Sequence, residues 1–507
     1  MLTVAEALEN SARRHRDKVA LVFGEQTLTY RSLNERANQM ARAFRSLGVE
    51  PGDRVALLLP NGLTMAEAYF GLAKAGVVGV PLNLRWAPAE IAYALQDAEV
   101  SLLLADQELA PLIDQAGLSI PVYYTGTSTH ERSWDRLVGA MDTAPVSLVS
   151  REGDPWVIVY TSGTTGRPKG AVRSHFSNLI IALTLASELG ISHQDVGFAL
   201  LPMFHVNSMW FVTLSMAIGA TCVIYPHRTF HPQHVIDEMN RHQVTYSMFV
   251  PSLLTFLADA VEAGKIDPHS LRVMMTSSAP LDSTLRDRIL RGFPRVELYD
   301  VYGSTEYGAV TLMRHAIGGA LGSVGFPALG LEIRILDEEG HALPPGQIGE
   351  VFVRGPSLMT EYWKKPDATR HVFTPDGFLT VGDMGYLSEE GMLYLVDRKQ
   401  DMIIVAGENV YPTEVENVLL SYPGVQLACV VGIPDPRRGE RVLGLVVPKT
   451  DALSVDELYA LCRDRLADYK RPFRIELVPE LPMGPAAKVV RRQAKEAWLA
   501  QHPDGTY

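Results

Sequence analysis

The densest chemistry in the sequence lies in residues 160–170, Tyr-Thr-Ser-Gly-Thr-Thr-Gly-Arg-Pro-Lys-Gly. Glycines at 163, 166 and 170 alternate with Thr161, Ser162, Thr164 and Thr165, and Lys169 closes the run. Glycine lets backbone N–H groups approach an anion closely, the hydroxyls add donors, and the lysine adds a mobile positive charge. A polyphosphate needs that combination, whereas a plain surface turn seldom concentrates it. The run is not a Walker A loop, which ends in Gly-Lys-Ser/Thr. Here Pro168 precedes Lys169 and Gly170 follows, which disfavours a P-loop kinase or ATPase.

Four other places carry weaker signals. In Asp300-Val-Tyr-Gly-Ser-Thr-Glu306, Tyr302 can stack on a purine and Glu306 can hold a magnesium bound to phosphates, although such a run is equally often a loop. Asp383, in Phe378-Leu-Thr-Val-Gly-Asp383, can accept two hydrogen bonds from a diol, or simply close a turn. Lys488 by itself is a solvated lysine near a C-terminus. His205 by itself is a satisfied core histidine, and Met203, Phe204, Val206, Met209 and Trp210 around it suit an apolar acyl pocket and an ordinary buried helix alike.

These residues must be held by a large fold. The 507 residues predict roughly three structural units. With 47% hydrophobic and 21% charged residues the chain is globular rather than disordered. From residue 1 to about 396, Val-rich runs such as 54–60, 76–81, 100–105 and 156–160 alternate with helical patterns, which predicts βα units and buried, largely parallel sheets. Between about 321 and 396, Leu331–Leu336 and Gly349–Arg354 alternate apolar and polar residues, which predicts antiparallel strands in a small barrel-like part. From 397 to 507 the pattern is α+β, with helices over 413–420 and 455–469 and strands over 426–433 and 441–448. The charged run Asp397–Asp401 suits a boundary between domains 1–396 and 397–507.

The charge balance excludes some partners. Lys+Arg 46 against Asp+Glu 58 gives a net charge of −12, which argues against nucleic acid. Cys222, Cys429 and Cys462 form no CxxC pair and suggest reduced cytosolic thiols. The N-terminus has early acids and no apolar run, so it is no signal peptide, and a cytoplasmic location is expected. Residues 196–227 carry no Asp, Glu, Lys or Arg, but glycines and prolines interrupt them. The expectation is a buried strand, a helix over 208–218 and a strand over 221–225, with no transmembrane segment.

Residues 160–170 resemble the signature loop of the adenylate-forming enzymes, which include acyl- and aryl-CoA synthetases, peptide-synthetase adenylation domains and beetle luciferases. Further matches follow in the family's order over nearly the whole chain. The resemblance implies that Thr161, Ser162, Gly163, Thr164, Thr165, Gly166 and Lys169 bind the phosphates of ATP. It also places Ser278, Ala279, Pro280, Asp300, Tyr302 and Gly303 around AMP, with Tyr302 stacked on adenine and Thr305 at the α-phosphate. Glu306 would bind Mg2+ and Asp383 the ribose, with Arg398 reaching the nucleotide. Gln400 stands at the hinge of a mobile C-terminal domain where the family has Asp or Lys. Gly407 and Glu408 fall where coenzyme A is met, and Lys488 matches the catalytic lysine; Lys470 and Arg471, in Tyr469-Lys-Arg-Pro472, are basic enough to meet the phosphates of coenzyme A and are equally read as solvated charge. His205, Val206, Asn207, Ala279, Gly303 and Gly308 line the acid pocket by the same resemblance, with His205 near the carboxylate. The sequence departs from the family at Val381, Ala406 and Ala487, where Thr, Gly and Gly are usual.

The chemistry implied is ATP-dependent carboxylic acid–CoA ligation through an acyl adenylate, with a medium- or long-chain fatty acid or an aryl acid as substrate. An amino acid is disfavoured, because His205 stands where relatives place an Asp for the ammonium group. No feature specifies light emission. A separate carrier protein as acceptor is the first alternative, although no Ser-centred phosphopantetheine segment occurs before Tyr507. The second is a catalytically dead nucleotide binder, which the presence of Lys169, Glu306, Asp383 and Lys488 opposes. The oligomeric state is left open, a homodimer included.

Overall fold

The computed structural model describes residues 2–126, 129–161, 168–265, 270–277, 281, 283–317, 322–406, 408–435, 437–450, 453–484 and 489–502. They divide into two compact units, residues 1–332 with 353–379 and residues 333–352 with 380–507.

The first unit is built on two sheets. One runs Glu361–Tyr362, Lys169–Ser174, Pro155–Thr161, Val78–Pro81, Arg54–Leu58, Leu102–Asp106, Val122–Thr125. The other contains Ser323–Pro327, Gly308–Arg314, Glu297–Ser304, Val273–Ser277, Tyr246–Phe249, Val196–Ala199, Thr221–Ile224, Val19–Phe23 and Gln26–Thr29 in that order. Their central pairings are parallel, as the Val-rich runs predict. The largest core joins the sheets through helices that are buried on almost every side, and the two charges of Leu63–Ala75, Glu67 and Lys74, are paired with Arg36 and Glu9. From Met65 to Ala75 every residue of the Leu63–Ala75 helix is buried, and Val206–Ile218 is similar. A helix without a polar face is stable only when it is covered all round. Two further cores fill the outer faces of the sheets.

The charge-free stretch is a strand over Val196–Ala199, a helix over Val206–Ile218 and a strand over Thr221–Ile224. The helix starts two residues earlier than expected because His205 is its N-cap: its Nδ1 accepts from the Asn207 N–H at 3.4 Å. Among the described residues no helix is long and apolar enough to cross a membrane.

The alternating segments are antiparallel strands, Glu332–Leu336 and Gly349–Arg354, followed by Asp383–Leu387 and Leu393–Arg398. They lie side by side.

The second unit holds a five-stranded sheet, with Glu408–Val410, Ile403–Val405, Gly439–Pro448 and Val425–Asp435 in order and Arg474–Leu477 parallel to Gly439–Pro448. Val430 faces the core under helices Pro412–Leu420 and Val455–Arg465, while Cys429 and Val431 face the core under Arg491–Gln501. The helix expected over 455–469 stops at Arg465. Arg471 donates to the carbonyls of Arg463 (3.2 Å) and Leu466 (2.9 Å), so the last turn is satisfied by a side chain instead of further helix.

Candidate active site

The glycine- and hydroxyl-rich run is the tip of a hairpin. Pro155–Thr161 and Lys169–Ser174 pair antiparallel with Tyr160 opposite Gly170 and Thr161 opposite Lys169, so both feet of the loop are fixed by a ladder. Gly170 is required by packing: a Cβ there would meet Ile158 at 2.6 Å and the Tyr160 ring at 3.3 Å. Ser162, Gly163, Thr164, Thr165 and Gly166 lie outside the described residues, as do Ser278, Ala279, Pro280, Gly407 and Lys488.

Glu306 sits in the turn between Glu297–Ser304 and Gly308–Arg314, and it is buried. Its Oε1 accepts from Thr161 Oγ1 (3.3 Å) and from the Tyr362 hydroxyl (3.0 Å). Among the described residues its Oε2 accepts no hydrogen bond. An oxygen left over on an anchored carboxylate suits a hard cation, so the residues present fit magnesium. Lys169 Nζ lies 5.1 Å from the centre of the Tyr362 ring, within cation–π range. Burial, then Glu306, push the Tyr362 hydroxyl far above its usual pKa, so it stays a donor.

Behind this turn lies a residue that motif reading passed over. Arg173 is fully buried and donates to the carbonyls of Thr305 (2.7 Å), Ser357 (2.6 Å) and Ser177 (3.2 Å) and to Asn178 Oδ1 (3.3 Å). It also lies over the Trp210 ring at 5.2 Å, and Trp210 Nε1 donates to the same Asn178 oxygen at 2.9 Å. Burial disfavours its charge and Glu306 favours it. A guanidinium keeps its proton in proteins. The available signal was an arginine inside an apolar strand, since a buried charge must be paired. Tyr362 was missed for a different reason: its contact with Glu306 spans 56 residues and leaves no local pattern.

The remaining first-unit residues are placed as follows. Asp300 is buried and opposite Thr276 in the sheet; Tyr302, half-buried, meets the Tyr307 ring edge-on at 6.3 Å. Gly303 and Gly308 are tightly enclosed: a Cβ on Gly303 would lie 2.0 Å from the Gly308 carbonyl oxygen, and one on Gly308 would meet Ile181 at 2.7 Å. Asn207 Nδ2 donates to Ser277 Oγ at 3.3 Å, which ties the helix after His205 to the end of the strand before residues 278–280. Met203, Val206, Met209 and Trp210 belong to the main core.

In the second unit Asp383 and Arg398 are register partners, with Arg398 Nε 3.4 Å from Asp383 Oδ1. Beside Val381, Thr380 Oγ1 accepts from the Gly382 N–H (3.0 Å) and donates to Glu350 (2.8 Å). Gln400 is exposed in the turn after Leu393–Arg398. Ala406 adopts φ +53°, a left-handed conformation that favours glycine, and Glu408 is exposed just beyond it. Lys470 and Arg471 are half-buried and paired. Lys470 Nζ pairs with both oxygens of Glu414 at 2.7 Å, and Arg471 bonds Asp468 at 3.1 Å besides the helix carbonyls.

Comparison with known proteins gives the family. A family model described as AMP-binding enzyme matches residues 8–363, and one described as AMP-binding enzyme C-terminal domain matches 414–488. The chain belongs to the AMP-binding enzyme family. Among its relatives, a feruloyl-CoA synthase from an Amycolatopsis species is 35% identical over 96% of this chain and 96% of its own. The fatty acid–[acyl-carrier-protein] ligase ScoC of Streptomyces coeruleorubidus is 34% identical over 97% of this chain and 96% of its own. Among solved structures, O-succinylbenzoate coenzyme A synthetase from Bacillus subtilis, in complex with ATP and magnesium ion, aligns with TM-score 0.86 and 30% identity, over 96% of this chain and 99% of that one.

Proposed function

We propose that the protein is an ATP-dependent carboxylic acid–CoA ligase for acids with a largely apolar tail. The observation that carries this is the buried Glu306 carboxylate, fastened by Thr161 and Tyr362 at the foot of a hydroxyl-rich loop and backed by Arg173. In the first half-reaction a carboxylate oxygen attacks the α-phosphorus of ATP and pyrophosphate leaves. Two anions approach, so fixed positive charge and aligned donors must offset their repulsion. Lys169, the 161–170 loop and Lys488 would do this. Magnesium, held at Glu306, would offset the charge of the polyphosphate. Asp383 would accept hydrogen bonds from the ribose hydroxyls, Tyr302 would stack on the base, and Arg398 would reach the nucleotide.

In the second half-reaction a thiol sulfur attacks the acyl carbonyl, AMP leaves, and the thiol proton is lost to solvent. Coenzyme A is the proposed thiol, with Gln400 the hinge between domains 1–396 and 397–507. The similarity to a carrier-protein ligase supports one second reading, in which the acceptor thiol is borne by a separate protein.

The test is acid-dependent pyrophosphate release across straight-chain, aryl and hydroxy acids, with and without coenzyme A. Acyl-CoA detected by mass with one acid class supports the ligase. Release that stops near one equivalent despite coenzyme A supports the carrier reading, and no release with any acid overturns both.

A further inference from the structure

The last turn of the Pro88–Asp97 helix is joined to both feet of the phosphate loop, through Asp97 and Tyr93. Asp97 Oδ2 accepts from the Tyr160 hydroxyl at 2.8 Å, and Tyr160 immediately precedes Thr161. The Tyr93 hydroxyl, one helical turn back, donates to the carbonyl of Pro168 at 3.1 Å and lies 3.3 Å from Asp97 Oδ1. Pro168 immediately precedes Lys169. The Tyr93 and Tyr160 rings meet edge-on at 6.4 Å, which leaves little freedom to either hydroxyl.

The same carboxylate carries a third attachment. Lys365 Nζ is 2.7 Å from Asp97 Oδ1. Lys365 ends a short strap that begins at Glu361, in which Tyr362 bonds Glu306 and the Trp363 N–H donates to the Gly170 carbonyl at 2.8 Å. Residues 97 and 365 are 268 apart in sequence, yet Asp97 joins the loop's first end to the strap, and Tyr93 beside it holds the second end.

We propose that Asp97 and Tyr93 are positioning residues for ATP, Asp97 holding the Tyr160 foot of the loop against the strap that bears Tyr362, and Tyr93 holding the Pro168 foot. The inference rests on the reading of this loop as the phosphate site. A binding site works only when its groups are held within about half an ångström of the working geometry, so the placement of the loop's feet bears on affinity. The β-ladder fixes the feet from one side, and Asp97 and Tyr93 fix them from the other. Burial and Asp97 both hold the Tyr160 hydroxyl in its protonated, donating form.

The test is calorimetric titration of the full-length protein with MgATP, which needs no knowledge of the acid. Wild type must bind; absence of binding overturns the phosphate-site reading and this inference with it. Asp97→Asn keeps the shape and removes the charge, and it should weaken MgATP about tenfold, the effect of losing roughly one charge-assisted bond. Tyr93→Phe, which releases only the Pro168 foot, should weaken MgATP severalfold with little change in the thermal midpoint of the nucleotide-free protein. A purely structural Asp97 would lower that midpoint and leave MgATP affinity as in wild type, which overturns the inference alone. Should Asp97→Asn not fold, wild-type affinity in Tyr93→Phe overturns it equally.

Discussion

The guanidinium of Arg173 and the carbonyl of Thr305 meet at 2.7 Å in the interior of the first unit, 132 residues apart in sequence. The proposed α-phosphate contact is therefore held from behind by a charge that faces no solvent. The same guanidinium also ties down Ser357, whose hydroxyl bonds the Tyr307 carbonyl at 2.7 Å, so the whole Thr305–Tyr307 turn is braced.

Arg173→Met should leave these buried carbonyls without donors and destabilise the protein by roughly 2–4 kcal/mol, measured by urea unfolding. Arg173→Lys should recover only part of that loss, because an ammonium lacks the planar fork that reaches several acceptors at once.

Tyr362→Phe removes one of the two bonds on Glu306 Oε1 and keeps the ring beneath Lys169. Adenylation should fall about tenfold and need a higher magnesium concentration for half-maximal rate, as expected when a single buried hydrogen bond to a charged group is lost. Pyrophosphate release over a magnesium titration checks it; an unchanged magnesium requirement would remove Tyr362 from the site.

Lys488→Ala should lower pyrophosphate release by about 10²–10³ while MgATP binding persists, since one preorganised charge at the reacting centre is lost. Wild-type release from this variant would reject its assignment.

His175 is buried against Trp156, with ring centroids 6.3 Å apart, and its Nδ1 has no partner among the described residues. Burial pulls its pKa down from 6.5 to about 4. The unfolded chain therefore takes up this proton first. The stability that His175 allows is complete above pH 6.5 and is lost as pH falls from 6.5 towards 4, at about 1.4 kcal/mol per pH unit. Urea unfolding between pH 7.5 and 5 should show this slope, and His175→Phe should flatten it.

Ala406→Gly should stabilise the second unit by up to about 1 kcal/mol, because relief of the left-handed conformation outweighs the added chain entropy of glycine. Thermal unfolding would show a rise of a few degrees, and a fall would contradict the strain argument.

The elements that build the first unit were legible where the local pattern was unmistakable. Residues 156–160 and 102–105 are apolar runs because their strands are covered on both faces, and Val206–Ile218 is uncharged because helices and sheets surround it. The hairpin feet Thr161 and Lys169 could be placed for the same reason. The sequence could not show that Tyr362 and Lys365 return to residues 306 and 97, because contacts of such separation leave no local period. It also could not show that Lys470 and Arg471 are partnered, since the side chains that take them, Glu414 and Asp468, look like ordinary surface acids. Helix 455–465 was overrun because its stop is made by Arg471, six residues past its end, and not by a glycine or proline.

Cys222, Cys429 and Cys462 are all free and buried, and burial pushes their thiols up to about 12, 12 and 11. A protein proposed to make a reactive mixed anhydride and pass it to a thiol thus holds every sulfhydryl of its own protonated and out of reach. It has no competing sulfur with which to acylate itself, and thiol-reactive dyes added to the native protein would report the acceptor's sulfhydryl as it is consumed, without a background from the enzyme.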